Sequence, residues 1–528
     1  MASLCRRLDG IPLAIELAAA RLRSLSVNEL EHRLNQRFRI LTGGSRTALP
    51  RQQTLRALID WSFDLLNAEE KTVFARLAAF VGGWDLTAAE DVVSGGSIES
   101  WEVLDHLAAL VDKSLVQTDA VGGSTRYRLL ESVRDYAAEQ LARLGEDEAA
   151  ATRRAHRDHY LALAEEAAPY LTGGEQLAWL DRLELEHDNL RAALAATSTE
   201  PDPSLGLRAG VALRWFWWVR AYFAEGAEFL GLLLRDPEAV DPGLRGRALV
   251  TAAEMLLNLA DYEPATARAQ EALLLAESQD DDWLQADATS VLVQLRSRQA
   301  DLDGAAAYAS RSVRHARATG DEWLLAYSLI NEATMRVWEG AVAIREFEKA
   351  IAILRNIGDG VQTGRALNNL ANTELQEREF GAAHAHFSEI VEMARDLGSG
   401  RMIPVAIFNL GLVEAVTGHL DAARGRFVES LVLARRSGDR SQVAYTLLGF
   451  ALLAGYEGEH ERAATLHGAL AVLLEELGES LQALEEGYRD EGVARQRAVL
   501  GDRAFELAYE AGRSLGRDAA IALALASR

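Results

Sequence analysis

Lysine is nearly missing from this chain: Lys71, Lys113 and Lys349 are the only ones in 528 residues, and arginine carries the rest of the positive charge. The formal net charge is −24, so the chain as a whole repels nucleic acid and anionic membrane; either partner would need a local basic patch. Cys5 is the sole cysteine, which excludes a disulfide within the chain and sets the expectation of a cytoplasmic protein. No Gly-Lys pair occurs anywhere, so the chain lacks the Gly-Lys-Ser/Thr loop whose amides and ammonium cradle phosphates. There is no Gly-x-Ser-x-Gly elbow and no His-Glu-x-x-His pair. His156 and His159 lie three apart, but no further ligands follow at suitable spacing, so no metal site is expected. The expectation is a chain that is not an enzyme and needs no cofactor. No run of about twenty apolar residues is present to span a membrane. Near the start, Arg6-Arg7 and the run Ile11–Ala20 mimic a signal peptide, but Asp9 and Glu16 break the apolar character that insertion requires.

What the chain does have is a helical repeat between about residues 245 and 478. Ala265, Ala305, Ala343, Ala383, Ala423 and Ala463 recur at gaps of 40, 38, 40, 40 and 40. Twelve residues before most of them stands another small or compact residue: Ala253, Val293, Ala371, Gly411 and Ala451. Ala333 breaks that spacing, because two residues are missing between it and Ala343. Turn signals such as Gly320-Asp321, Gly358-Asp359 and Gly438-Asp439 keep the same beat. Two helices can approach closely only where side chains are small, so each unit reads as a helical hairpin. One hairpin cannot bury its own apolar face, and the units must stack into a solenoid.

Asn369-Leu370-Ala371 followed by Ala383 and Phe387, and Asn409-Leu410-Gly411 followed by Ala423 and Phe427, resemble the tetratricopeptide repeat. The period exceeds that family's usual ~34 residues, and its closing proline is missing. The resemblance implies that Asn331, Asn369 and Asn409, which share one repeat position, tie neighbouring repeats together. It also implies a concave wall built from the first helix of each hairpin. Counted from the small residues, the first two repeats present Arg247, Glu254, Asp287, Gln294 and Arg298, a polar lining. Later repeats present Tyr327, Trp338, Asn372, Phe408, Leu412, Tyr445, Leu452 and Tyr456. This second set is the candidate groove for a protein or peptide partner, which includes the chain's own N-terminal half; the competing reading is that these side chains simply pack as core.

Ahead of the repeats, residues 51–145 read as helices followed by a hairpin. Asn67 with Glu70 forms a capping-box signature, Ser100 is placed to cap a helix over Trp101–Val111, and Gly122-Gly123 separates two strand-like runs. That order makes a winged helix. Leu8-Asp9-Gly10-Ile11-Pro12-Leu13 resembles the segment near the end of the NB-ARC/STAND class of signal-transduction ATPases, in which the proline packs beside adenine. Gly10 and Pro12 are therefore the nucleotide-proximal candidates that the resemblance implies. It also implies a phosphate-binding half upstream of Met1. Where that family carries a phosphate-contacting histidine, Leu130 stands here within Tyr127-Arg128-Leu129-Leu130-Glu131, and leucine cannot bond a phosphate.

The expected architecture is mainly α: a helical remnant of an ATPase module (1–50), a winged helix with a small β-hairpin (51–145), a helical connector (146–241), an α-solenoid of tetratricopeptide-like hairpins (242–480) and capping helices (481–528). The function expected is regulation or signal transduction through partner or effector binding, as the sensor half of a STAND-type transcriptional regulator. Two alternatives are a DNA-binding transcription factor using the winged helix and an ATPase switch supplied by an upstream half. Charge weighs against the first: residues 51–144 hold nine Lys/Arg against fifteen Asp/Glu, and the helix before the wing carries Glu102, Asp105 and Asp112 against Lys113.

Overall fold

The computed structural model describes residues 55–526, save 236–239, 300, 339–340, 397–401, 438, 478, 480 and 482. The chain divides into two compact units: the described residues up to Ala167 with Asp181–Ala212, and Ala168–Leu180 with Leu213 onward. The connector expected as one segment is thus shared between them.

In the first unit, α1 (Leu55–Asp64) and α2 (Ala68–Arg76) are followed by β1 (Gly83–Trp84), α3 (Leu86–Val93) and α4 (Val103–Asp112). The wing is β2 (Gln117–Val121) and β3 (Ser124–Arg128), and α5 (Glu131–Leu144) and α6 (Glu146–Ala167) come after it. Asn67 caps α2 in a reciprocal capping box with Glu70, as its sequence requires. Ser100 is not a cap: Glu99 forms a capping box with Glu102 ahead of a short 3₁₀ turn, Ser100–Glu102, that leads into α4. The sheet has three strands in the order β1-β3-β2, all antiparallel. The third strand is a two-residue addition from the Gly82-Gly83 stretch that the sequence presents only as a turn. Gly122 and Gly123 both take positive φ (58° and 84°) at the wing tip, a backbone that suits glycine and a tight hairpin. Phe74, Phe80, Trp84, Leu107 and Leu110 are buried in the core.

Glu186 interrupts what the sequence presents as one helix from Glu175 to Ala196, giving Gln176–Leu185 and His187–Thr197 instead. The break has a purpose in the packing. Arg126 of β3 donates to Glu186 Oε1 (2.5 Å), Tyr160 OH donates to Glu186 Oε2 (3.1 Å), and Asn189 Nδ2 donates to the same oxygen (3.0 Å). Asn189 also accepts from the backbone N–H of Val81 (2.7 Å), so the wing base is tied to the helices that follow.

The second unit is the repeat array. Its hairpins pair Pro242–Asn258 with Tyr262–Ser278, Asp282–Arg298 with Leu302–Thr319, and Glu322–Trp338 with Ile344–Ile357. Gly360–Gln376 pairs with Phe380–Asp396, Met402–Val416 with Leu420–Ser437, and Arg440–Tyr456 with His460–Leu477. The alanines that set the sequence register, Ala265 to Ala463, are all fully buried. Close approach is literal at Phe427: a Cβ added at Gly411 would come within 2.9 Å of its ring, and one at Gly449 within 2.6 Å. Aspartates cap the first helices, accepting from the backbone N–H three residues on: Asp281 from Leu284, Asp321 from Leu324, Asp359 from Gln362 and Asp439 from Gln442. Helices Ala483–Leu500, Asp502–Arg513 and Arg517–Leu525 pack on the last hairpin and cover its apolar side.

Candidate functional site

The inner face of the array begins closed. A seven-residue helix, Arg214–Arg220, places Arg214 against the first repeats with only 6% of its surface exposed. Its Nε donates to Glu254 Oε2 (2.5 Å), while Nη1 and Nη2 donate to Asp287 Oδ2 and Oδ1 (2.6 and 3.0 Å). Burial opposes the guanidinium's charge, but the two carboxylates outweigh that and hold its pKa above the ordinary value. Tyr327 closes the cluster. Its hydroxyl donates to Glu254 Oε1 (3.3 Å) and accepts from Gln294 Nε2 (3.0 Å), and burial with the nearby Glu254 pushes its pKa up to about 12. Trp323 stacks on the Tyr327 ring at 5.3 Å, and Trp215 meets Trp323 edge-on at 5.2 Å. The helix is not buried all round as its Trp-Phe-Trp-Trp run suggests: Phe216 and Trp217 are buried, Trp215 and Trp218 half-buried.

Beyond this plug lies a cavity of about 470 Å³, within the range of small-ligand sites. Trp218 and Val219 border it, the first helices of successive repeats form its walls, and Leu484 and Glu485 border it from the helix that follows the array. Amides dominate the polar lining: Asn258, Gln294, Asn331, Asn368, Asn369 and Asn372. Buried amides normally find partners. Here Asn331 Nδ2, Asn372 Oδ1 and Glu485 Oε2 are buried without one. Burial pushes the Glu485 carboxyl up to about 7, a hydrogen bond from its own backbone N–H opposing weakly.

The asparagine position does tie repeats together. Asn331 Oδ1 accepts from Arg365 Nη2 (2.9 Å), Asn369 Nδ2 donates to Thr334 (3.1 Å), and Asn409 Nδ2 donates to Asn368 Oδ1 (2.9 Å). Of the residues expected to line the groove, Trp338 and Asn372 do line the cavity. Tyr327, Phe408, Leu412 and Leu452 do not face a groove: each is at most 4% exposed, because adjacent first helices pack on one another and absorb these side chains as core. Tyr445 and Tyr456 are half-buried, Tyr445 edge-on to Phe408 at 6.1 Å and Tyr456 beneath the Arg495 guanidinium at 4.8 Å. Glu254 and Asp287, expected as open lining, are covered by Arg214. Gly10 and Pro12 lie outside the described residues.

The winged helix presents little positive charge on the helix before its wing. Lys113 is in an ion pair with Glu70 (3.2 Å), and Arg126 is committed to Glu186. Arg128 pairs with Asp119, and Arg76 donates to the carbonyls of Val93 and Gly95 and to Glu148. Trp101 (73% exposed) and Leu104 are the apolar side chains left on the surface of α4 and its 3₁₀ lead-in.

A model of the winged helix-turn-helix domain matches residues 66–142. Over 330 residues the chain is 42% identical to the provisionally named HTH-type transcriptional regulator Rv0890c of Mycobacterium tuberculosis, a match covering 61% of this chain and 37% of that protein. The chain therefore spans well under half the length of this curated relative. It carries a winged-helix domain followed by tetratricopeptide-like repeats, and it is homologous to HTH-type transcriptional regulators. Among solved structures, a STAND protein with a tetratricopeptide repeat sensor from Pyrococcus horikoshii aligns over 94% of this chain and 74% of its own, with 14% identity and a TM-score of 0.44. A Rap protein complexed with Competence and Sporulation Factor aligns over 70% of this chain and 99% of its own, with 12% identity and a TM-score of 0.47. Among the described residues, no helix is long and apolar enough to cross a membrane.

Proposed function

We propose that this chain is the effector-sensing part of a transcriptional regulator, acting by binding rather than by catalysis. The cavity inside the repeat array takes up a peptide or a peptide-like molecule. One observation carries the reading: a cavity of about 470 Å³ walled by asparagine and glutamine, with one donor, Asn331 Nδ2, and one acceptor, Asn372 Oδ1, buried and unpartnered. An amide side chain offers one donor and one acceptor edge, which is the pattern a peptide main chain completes. The homology to transcriptional regulators supplies the context.

Selection from a random peptide library, followed by calorimetry with the recovered sequence, tests the reading. Micromolar binding that weakens at least tenfold in Asn331→Leu and Asn372→Leu supports it. Recovery of no peptide, or of peptides indifferent to both substitutions, refutes it.

In this proposal the winged helix is a packing module, because Lys113 before the wing and Arg126 and Arg128 on it are each paired with a carboxylate. The relative's name and the domain match favour a second reading in which it reads DNA. A mobility shift at low salt, where screening is weakest, separates the two. Sequence-dependent retention of duplex DNA by the full chain would reverse their order. The proposal also holds that the chain alone neither binds nor hydrolyses ATP, since no Gly-Lys-Ser/Thr loop is present. A micromolar heat of ATP or ADP binding would contradict that.

A further inference from the structure

The cavity contains a feature that an amide-lined groove for neutral main chain does not need. Glu485 is 5% exposed and lines the cavity, and its Oε2 has no hydrogen-bond partner. Among the described residues no ion pair involves it. A carboxylate taken from water without a counter-charge is costly, so an unpaired one persists where something else meets it or where it carries a proton. The carboxyl sits near its midpoint at neutral pH, pushed up to about 7 by burial, so a modest attraction suffices to charge it. Neither guanidinium that lines the cavity serves as its partner: no ion pair among the described residues joins Arg298 to it, and Arg365 is engaged elsewhere. Arg365 donates to Asn331 Oδ1 (2.9 Å) and to Gln362 Oε1 (3.4 Å), and its guanidinium lies 5.1 Å from the Tyr327 ring centroid. Two indoles, Trp218 and Trp338, line the same space, and aromatic faces attract cations.

We propose that Glu485 makes this cavity selective for a cation-bearing ligand, one whose guanidinium or primary ammonium enters the cavity and pairs with the carboxylate. The proposal rests on the cavity's being the effector site and names the chemistry that site selects. The amides hold the neutral part of the ligand, Glu485 neutralises its charge, and Trp218 and Trp338 supply apolar and π contact. An anionic ligand is rejected, because it would bring a second negative charge to a site that already strains to hold one.

The test uses the full chain and two short probes that differ in charge alone: acetyl-Gly-Arg-Gly-amide and the same peptide with citrulline in place of arginine. Tryptophan fluorescence reads binding, since two indoles line the cavity. The expected result is that the arginine probe binds at least tenfold more tightly than the citrulline probe. Glu485→Gln should abolish that preference, bringing the arginine probe to the affinity of the citrulline probe; this isosteric change removes an unpaired charge and keeps the fold. The same probe with lysine in place of arginine shows whether ammonium and guanidinium serve alike. Equal binding of the arginine and citrulline probes to the unaltered chain overturns the inference while leaving the cavity reading intact. Binding of neither at millimolar concentration also overturns it. The cavity reading itself falls only if the library selection recovers no peptide, or only peptides indifferent to Asn331→Leu and Asn372→Leu.

Discussion

Two stretches of the inner face of the array solve the same problem in opposite ways. At the amino-terminal end, two buried carboxylates, Glu254 and Asp287, are matched by Arg214 from the preceding helix. Around the cavity beside it, the buried carboxylate Glu485, Asn331 Nδ2 and Asn372 Oδ1 are left unmatched around an open volume. A site completed by the chain's own residues specifies structure; a site left incomplete stores unfavourable desolvation that a ligand relieves. The repeat chemistry alone does not tell them apart. Only the presence or absence of a chain segment seated on each stretch does so.

The comparison breaks most sharply at Arg214. Arg214→Met leaves Glu254 and Asp287 buried without a cation, and should destabilise the repeat unit by about 3–5 kcal/mol in denaturant unfolding. Adding Glu254→Gln and Asp287→Asn should recover much of that loss. If Arg214→Met costs under 1 kcal/mol, the amino-terminal end is not held by this network.

A smaller effect, of opposite sign, is expected at Glu485. Burial pushes its carboxyl up to about 7, above the ordinary carboxylate range, so the stability it permits is complete below about pH 4.5 and is lost as pH rises through 7. Glu485→Gln should therefore stabilise the unliganded chain at pH 8 by about 3 kcal/mol at most and have little effect at pH 4.5. Arg298 and Arg365 line the cavity with it, and Tyr488 on the same helix is pushed up to about 12 by burial, clear of that window. His467 provides the contrast. Burial holds it down to about 4, and neither ring nitrogen has a partner, so its contribution is present above pH 6.5 and is lost as pH falls toward 4. Between pH 7 and pH 5 that amounts to about 2 kcal/mol, and His467→Asn should flatten the acid limb.

The amides give a finer test. Asn409→Leu removes a made hydrogen bond and strands Asn368, costing about 1 kcal/mol or more, whereas Asn372→Leu removes an acceptor that has no partner and should cost less. The smallest effects are expected on the outer surface, where Arg355 pairs with Glu389 and Arg395 with Glu429. Arg395→Ala should change stability by no more than about 0.5 kcal/mol, because such exposed pairs gain little over water.

How much of this could be read from the sequence follows from which forces are local. The alanine register and Gly411, which faces Phe427, were legible because close packing restricts residue type at fixed spacing, whereas Gly449, against the same ring, lies off that spacing. The winged helix was legible from cap and turn chemistry. The groove was only half legible. Counting from the small residues finds Trp338 and Asn372, but the same count also selects Phe408, Leu412 and Leu452, since it cannot distinguish inward to solvent from inward to a neighbouring helix. Arg214 lies in a tryptophan-rich run that reads as core, and nothing in its surroundings signals a role 73 residues away at Asp287. Glu485 becomes buried only because the helix after the array folds back onto it, a tertiary event with no local periodicity. The one hint was available in Glu254 and Asp287: two acids at inward repeat positions demand a cation, and Arg214 is an arginine at the start of an aromatic run.

The aspartate caps of the first helices serve a second purpose. Trp283 Nε1 donates to the cap of the next repeat, Asp321 (3.0 Å), and Trp323 Nε1 donates to the cap after that, Asp359 (2.7 Å). Gln176, from the short segment placed with the repeats, then donates to Asp359 Oδ1 (3.2 Å) and accepts from the N–H of Val361 (3.1 Å). These links form a one-way latch series. Each cap is fully bonded only when the preceding repeat is in place, and the last is clasped from outside the array. Nearest-neighbour stacks melt from their ends inward. A stack latched in one direction and clasped in its middle has unequal ends, so hydrogen exchange should run fastest in the repeats after Asp359. The cavity, lined from both sides of that clasp, would then have one steady wall and one mobile wall.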